Sequence, residues 1–293
     1  MRTSVPLFHS RTRSSLPALA IALAVACGPK PSPEPTATQR DQSPPAEAPT
    51  PPAEVPGSEA PTAPEAPAGL PEAAGVHYLE YLTGGAQAGD TLPMIIAIHG
   101  LGDSPQGFVG LFEGFDQPAR VILPQGLDAY EPGWSWFPVR ARDADIEGLA
   151  QGIAKAADAL APAVEALTKT YPTAGEPIVT GFSQGGMLSF TLAVRHGELF
   201  SAAFPVGGWL PPPLWPQSSP GPDSPPILAF HGDADRAVSF APTQEAVAAL
   251  DKLGYEVELR PYPGVGHAIP PAMRAELMAA LGEAVTKQAA AAP

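Results

Sequence analysis

The run Gly181-Phe182-Ser183-Gln184-Gly185-Gly186 constrains the fold more than any other part of the chain. It joins the apolar stretch ending at Thr180 to Met187-Leu188-Ser189-Phe190-Thr191-Leu192-Ala193-Val194, so a short buried strand passes straight into a buried helix. A corner that sharp needs backbone that a β-carbon would block, and the flanking glycines supply it. In this setting the G-x-S-x-G pattern projects a serine hydroxyl above a sheet, which makes Ser183 the candidate nucleophile.

The surrounding sequence supports a sheet of which that strand is one member. Further strands are expected at Val76 to Leu82, Met94 to Ile98, Arg120 to Leu123, Ala202 to Val206, Ile227 to Phe230 and Val257 to Tyr262, with Ile178 to Thr180 leading into the corner. Several are continuous apolar runs, as in strands covered on both faces. Ile146, Leu149, Ile153, Ala157, Leu160, Val164 and Leu167 recur every three or four residues and predict a helix over 145–171 with one apolar stripe. Pro162 lies inside it and is expected to kink or divide it. Other helices are expected near 184–196, 242–253 and 271–289. Strands alternating with helical segments predict an α/β architecture.

Residues 75–293 suit one domain with a substantial core. Upstream, Arg2, Arg11 and Arg13 precede the apolar run Leu16 to Ala26, which is too short to span a bilayer and stops at Cys27. A basic segment followed by a short apolar one predicts a signal peptide over 1–27. Val25 and Ala26 before Cys27 resemble a bacterial lipoprotein cleavage box, in which Cys27 becomes the acylated first residue and anchors the protein to a membrane. Ala24 stands where leucine is usual, so ordinary cleavage near Ala26, with secretion, is the alternative. Residues 28–74 are rich in Pro, Ala, Glu, Thr and Ser, and bury too little apolar surface to offset the entropy of ordering. An extended tether, holding a catalytic domain away from the membrane in the cell envelope, is expected there. The net charge of −14 offers no basic face to nucleic acid. Cys27 is the only cysteine, which excludes an intramolecular disulfide, and no Cys/His cluster suggests a zinc site.

A serine nucleophile needs a base, and the base an orienting carboxylate. His196 falls at the end of the helix that begins beside Ser183, about four turns away. His231 ends an apolar strand and is expected to shape the acidic loop after it. His267 sits in Tyr262-Pro263-Gly264-Val265-Gly266-His267-Ala268, a glycine-rich loop suited to a base reaching another loop, and is the candidate base. Asp233 and Asp235 are both candidates for the acid. The oxyanion that forms on attack needs preorganised backbone donors. The N–H of Gln184 is one, and Leu101 in His99-Gly100-Leu101-Gly102-Asp103, after the strand Met94 to Ile98, is expected to supply the other.

Taken in order, His99 to Asp103, Gly181 to Gly186, Gly208-Trp209-Leu210-Pro211, His231-Gly232-Asp233-Ala234-Asp235 with Val238, and Tyr262 to His267 resemble the successive motifs of the phospholipase/carboxylesterase family of α/β-hydrolases. That family includes bacterial carboxylesterases and acyl-protein thioesterases, and the likeness extends over essentially all of 75–293. It implies an α/β-hydrolase fold, a mostly parallel central sheet flanked by helices. It also implies cleavage of carboxylic esters through a Ser183-His267-Asp235 triad and an acyl-enzyme, without cofactor or metal. Asp235 is selected over Asp233 because the family's His-Gly-x-x-Asp-x-x-Val pattern puts the acid at the later aspartate. The family's oxyanion donors fall on Leu101 and Gln184.

Two departures bear on acyl specificity: Arg236 follows the acid where proline is common, and Pro138 stands where aspartate is frequent. The arginine is expected to bring a cation near the mouth of the site. Trp134, Trp136, Phe137 and Trp209, with Leu210 and Trp215, are candidates to line an acyl pocket. The expected substrate is a small-molecule or lipid ester, with lysophospholipids, thioesters and polysaccharide or polyester esters as rivals, acted on by a monomer or weak homodimer. A catalytically silent envelope lipoprotein that binds a ligand is the reading from a different class.

Overall fold

The computed structural model describes residues 69–291. The expected signal peptide, Cys27 and the linker up to residue 68 lie outside the described residues. The chain begins with β1 (Glu72–Ala73), β2 (Val76–Thr83) and β3 (Met94–Ile98), then the short α1 (Pro105–Phe108) and β4 (Ala119–Pro124). A small hairpin, β5 (Asp128–Tyr130) with β6 (Gly133–Ser135), leads into α2 (Ile146–Thr170). There follow β7 (Ile178–Phe182), α3 (Gln184–Arg195), β8 (Ala202–Val206), β9 (Ile227–Gly232), α4 (Phe240–Leu253), β10 (Val257–Tyr262) and α5 (Pro271–Ala291).

Eight strands form one sheet in the order β1-β2-β4-β3-β7-β8-β9-β10. From β4 to β10 every neighbouring pair is parallel, while β2 runs antiparallel to both β1 and β4. The alternation along β3 shows how the sheet divides the core. Met94, Ile96 and Ile98 pack with residues of α2, α3 and α4 such as Leu160, Leu188 and Leu250. Ile95 and Ala97 face the other way, toward Phe108 and the α5 residues Met273, Leu277, Leu281 and Val285. Those four recur every fourth position, so α5 presents a single stripe, and burying each such side chain is worth about 1.5–3 kcal/mol.

The expected strands are all present, and three of them, β3, β8 and β10, have the expected bounds. Three features differ from the sequence reading. The helix α2 runs through Pro162 undivided, because Leu160, Ala161, Ala163 and Val164 on either side are buried against the sheet and hold it in place. The strand β1 lies just upstream of the expected domain start at residue 75, pairing Ala73 with Val76. The hairpin β5-β6 was not anticipated, and its position makes it important for the site. Among the described residues no helix is long and apolar enough to cross a membrane.

Candidate active site

The loops that follow β3, β7, β9 and β10 all emerge at the carboxyl ends of the parallel strands, where open α/β sheets present ligands. They carry, in turn, His99 to Asp103, Ser183, Asp235 and His267.

Ser183 occupies the single residue between β7 and α3, with φ 59° and ψ −115°. This left-handed backbone costs a non-glycine residue about 1–3 kcal/mol and persists only where its surroundings over-determine it. Here the Ser183 N–H donates to the Val206 carbonyl at 3.0 Å, and the Ser183 carbonyl accepts from Met187 N–H at 3.0 Å. Close backbone approaches complete the corner: a β-carbon on Gly185 would land on the Ile98 carbonyl oxygen, and one on Gly186 on the Val206 carbonyl oxygen.

The Ser183 hydroxyl lies 2.9 Å from His267 Nε2, and His267 Nδ1 lies 2.6 Å from Asp235 Oδ2. An ionised Asp235 only accepts, so Nδ1–H donates to it and Nε2 is left to accept from the serine. The ring of His267 packs against Phe182 with centroids 4.7 Å apart. Its loop is braced from the other side, where Gly264 N–H donates to Asp233 at 2.7 Å. The two aspartates left open by residue type thus separate by geometry: Asp235 meets the histidine, and Asp233 holds the loop that carries it.

Asp235 is buried, with 1% of its side chain exposed. Burial is the largest influence on its carboxyl and opposes ionisation, but hydrogen bonds from His231, His267 and Val238 N–H together outweigh it and hold the carboxyl well below the usual carboxylate range. A group whose folded-state pKa is depressed contributes stability that is present above its unfolded value, about 3.9, and lost as pH falls through the folded value. The stability of the native protein relative to Asp235→Asn is therefore expected to hold steady above about pH 5 and to shrink below about pH 4. Urea denaturation of both proteins at stepped pH checks this, and a difference that grows on acidification would contradict it.

Three other histidines, His231, His196 and His99, are structural. His231 is fully buried, with Nε2 2.9 Å from the Val238 carbonyl and Nδ1 3.1 Å from Thr243 Oγ1, and it backs Asp235 at 3.4 Å. His196 caps α3 and bonds Asp158 at 3.0 Å. His99 accepts from Gly126 N–H at 3.1 Å and is fully buried; burial lowers its pKa and keeps it neutral.

The Leu101 and Gln184 N–H groups donate to no acceptor among the described residues, so both are available beside Ser183. The hairpin explains how they are held. Gly102 N–H donates to the Trp134 carbonyl at 2.8 Å and Trp134 N–H to the Asp103 carbonyl at 2.9 Å, which welds the Leu101 loop to β6. Trp136 Nε1–H donates to the His99 carbonyl at 3.0 Å. The buried Gln184 side chain accepts from Trp136 N–H at 3.0 Å and donates to the Phe137 carbonyl at 2.8 Å. One segment, 134–137, thus ties the two donor loops together.

A cavity of about 270 Å³ opens in front of Ser183, with Leu101, Gln184 and His267 in its wall. Of the expected aromatic lining only Phe137 reaches it. Trp136 and Trp209 are buried in the core, Leu210 is fully buried, and Trp134 and Trp215 also lie off the cavity. Large apolar area marks a residue for burial without distinguishing core from pocket. Arg236 is exposed and does not line the cavity either. The walls come instead from Tyr130, Val139, Arg140, Arg142, Met187 and Val238. Met187 was accessible to sequence reasoning, since it follows Ser183 by four positions on the same helix face. Residues 139–142 belong to an irregular connection that has no periodic signal.

A phospholipase/carboxylesterase family model matches residues 86–282. A probable carboxylesterase of Oryza sativa subsp. japonica is 36% identical over 93 residues, 31% of this chain and 35% of that protein. An acyl-protein thioesterase 1 of Gibberella zeae is 23% identical over 202 residues, 60% of this chain and 84% of that protein. The chain thus spans about a third of the length of the rice relative. The crystal structure of esterase PE8 superposes with a TM-score of 0.59 at 24% identity, covering 69% of this chain and 98% of that one, a likeness of fold. With its mostly parallel sheet, strand-to-helix serine corner and a family match over most of the described residues, the chain belongs to the phospholipase/carboxylesterase family of α/β-hydrolases.

Proposed function

We propose that the chain hydrolyses carboxylic esters through an acyl-enzyme on Ser183. One observation carries this reading: an unbroken line of hydrogen bonds, 2.6 Å from Asp235 to His267 and 2.9 Å from His267 to Ser183, ends on a hydroxyl beside two unused backbone N–H groups.

On attack, Ser183 Oγ bonds to the ester carbonyl carbon while its proton passes to His267 Nε2. The imidazolium so formed is stabilised by Asp235, whose charge is sustained by the Ala237 and Val238 N–H groups at 2.8 and 3.0 Å. The carbonyl oxygen becomes an oxyanion and accepts from Leu101 and Gln184 N–H, donors that need no rearrangement as the charge appears. Collapse of the tetrahedral intermediate breaks the bond to the alkoxy oxygen, which takes the proton from His267 and departs as the alcohol. Water then attacks the acyl-enzyme, giving its proton to the same nitrogen, and the second collapse releases the acid and restores Ser183.

Mixing the protein with p-nitrophenyl butyrate tests the scheme. An acyl-enzyme predicts a burst of p-nitrophenol of about one equivalent per chain before the steady rate whenever deacylation is slower than acylation. Failure of a folded protein to release p-nitrophenol from esters of any acyl length would contradict the assignment.

A further inference from the structure

The cavity in front of Ser183 reverses the sign of the rest of the molecule. The chain carries 30 acidic residues against 16 basic ones, yet Arg140 and Arg142 line this cavity and no aspartate or glutamate does. Elsewhere three arginines of the domain find carboxylates, Arg120 with Glu80, Arg195 with Asp158, and Arg260 with Glu258 and Glu276, while Arg274 donates to the Leu111 and Glu113 carbonyls. Among the described residues neither Arg140 nor Arg142 is in an ion pair. The nearby carboxylate of Asp143 is engaged by the Arg140 main-chain N–H at 2.9 Å. The Arg140 guanidinium donates only to the Tyr130 hydroxyl, at 2.8 Å, and Tyr130 lines the same cavity. Arg236 is also exposed without a carboxylate partner, but it stands off the cavity wall. Asp235, the acid nearest the reacting atoms, is buried behind His267 and presents no charge to the opening.

We propose that Arg140 and Arg142 select esters bearing an anionic group on the acyl or the alcohol arm. The inference rests on the hydrolase reading above and names the substrate class of the same site. A planar guanidinium offers paired N–H donors that match the oxygens of carboxylate, sulfonate or phosphate. One of the two is already oriented by Tyr130, which reduces the entropy lost on binding. Both side chains are exposed, so solvent screening keeps the effect moderate. A preference of about tenfold in kcat/KM is expected, equivalent to about 1.4 kcal/mol.

The test compares three activated esters. p-Nitrophenyl butyrate is neutral, mono-p-nitrophenyl glutarate carries a carboxylate on the acyl arm, and 4-butanoyloxy-3-nitrobenzenesulfonate carries a sulfonate on the alcohol arm. The expected result is a kcat/KM ratio of about ten in favour of one anionic ester, after correction for spontaneous hydrolysis, decreasing as salt is raised. Which ester is favoured identifies the arm. In the Arg140→Gln/Arg142→Gln variant the ratio is expected to fall to near one. In Arg140→Glu/Arg142→Glu it is expected to invert, a change that loss of folding cannot imitate because it is a ratio within one protein. Equal rates on all three esters, or a preference that survives both double variants, would overturn the inference and leave the hydrolase reading standing. No turnover of any ester by the folded protein would remove both.

Discussion

Ser183→Ala is expected to lower kcat for p-nitrophenyl esters by on the order of 10⁶-fold, the scale seen when a nucleophile that acts as a unit with its base is removed. What is expected to survive is the contribution of the proposed oxyanion donors and the cavity, on the order of 10³–10⁴ over the reaction in water. The fold should barely notice. The substitution deletes one hydrogen bond, to His267 at 2.9 Å, whose net worth to stability is about 0.5–1.5 kcal/mol. The corner itself is held by main-chain bonds to Val206 and Met187 that alanine retains. Steady-state kinetics beside a thermal melt check both halves. A scaffold that merely binds a ligand would show neither the starting activity nor the loss.

Gly185→Ala, two positions along, reverses the pattern and acts on stability first. The new β-carbon would overlap the Ile98 carbonyl oxygen and sit 2.6 Å from the Ile98 carbonyl carbon and 2.9 Å from the His99 carbonyl oxygen. All three are main-chain atoms of β3 and the loop after it, so no side chain can swing aside. Either α3 or β3 has to move, and such forced shifts cost about 1–3 kcal/mol, with a rigid main-chain clash at the upper end. Because α3 begins at Gln184, the same movement displaces one proposed oxyanion donor and the serine corner, so activity is expected to fall along with stability. Gly89→Ala is the control: its β-carbon meets nothing within 4 Å, and a change within about 0.5 kcal/mol is expected. Urea titration of the two variants measures the contrast, and equal midpoints would show that the close packing of α3 on β3 is not what holds the corner.

The strands of the sheet were legible because burial on both faces leaves continuous apolar runs, as in Met94 to Ile98 and Ala202 to Val206, both fully buried. The serine corner was legible because glycine, serine and the flanking elements each obey a separate constraint that points to the same geometry. The hairpin β5-β6 left no such trace. Its strands are three residues long, and Asp128 and Tyr130 face solvent, so neither hydrophobic run nor alternation marks them. With the hairpin unseen, the Trp134 to Phe137 segment read as pocket wall, whereas most of it works as the brace between the Leu101 loop and Gln184. The cavity arginines were missed for a related reason. Sequence drew attention to Arg236, adjacent to the acid, but Arg140 and Arg142 reach the site through a connection between β6 and α2 whose path only the folded chain reveals.

On the proposed mechanism Ser183 alone, among the serines of the domain, is made nucleophilic by its neighbours. Treatment with a fluorophosphonate followed by digestion and mass mapping of the peptides tests it most directly, since the reagent reacts with activated serines and leaves a stable adduct. One adduct per chain is expected, on Ser183, absent from Ser183→Ala and strongly slowed in His267→Ala. An unmodified Ser183 in the folded protein, or an adduct on a different serine that persists in Ser183→Ala, would contradict it.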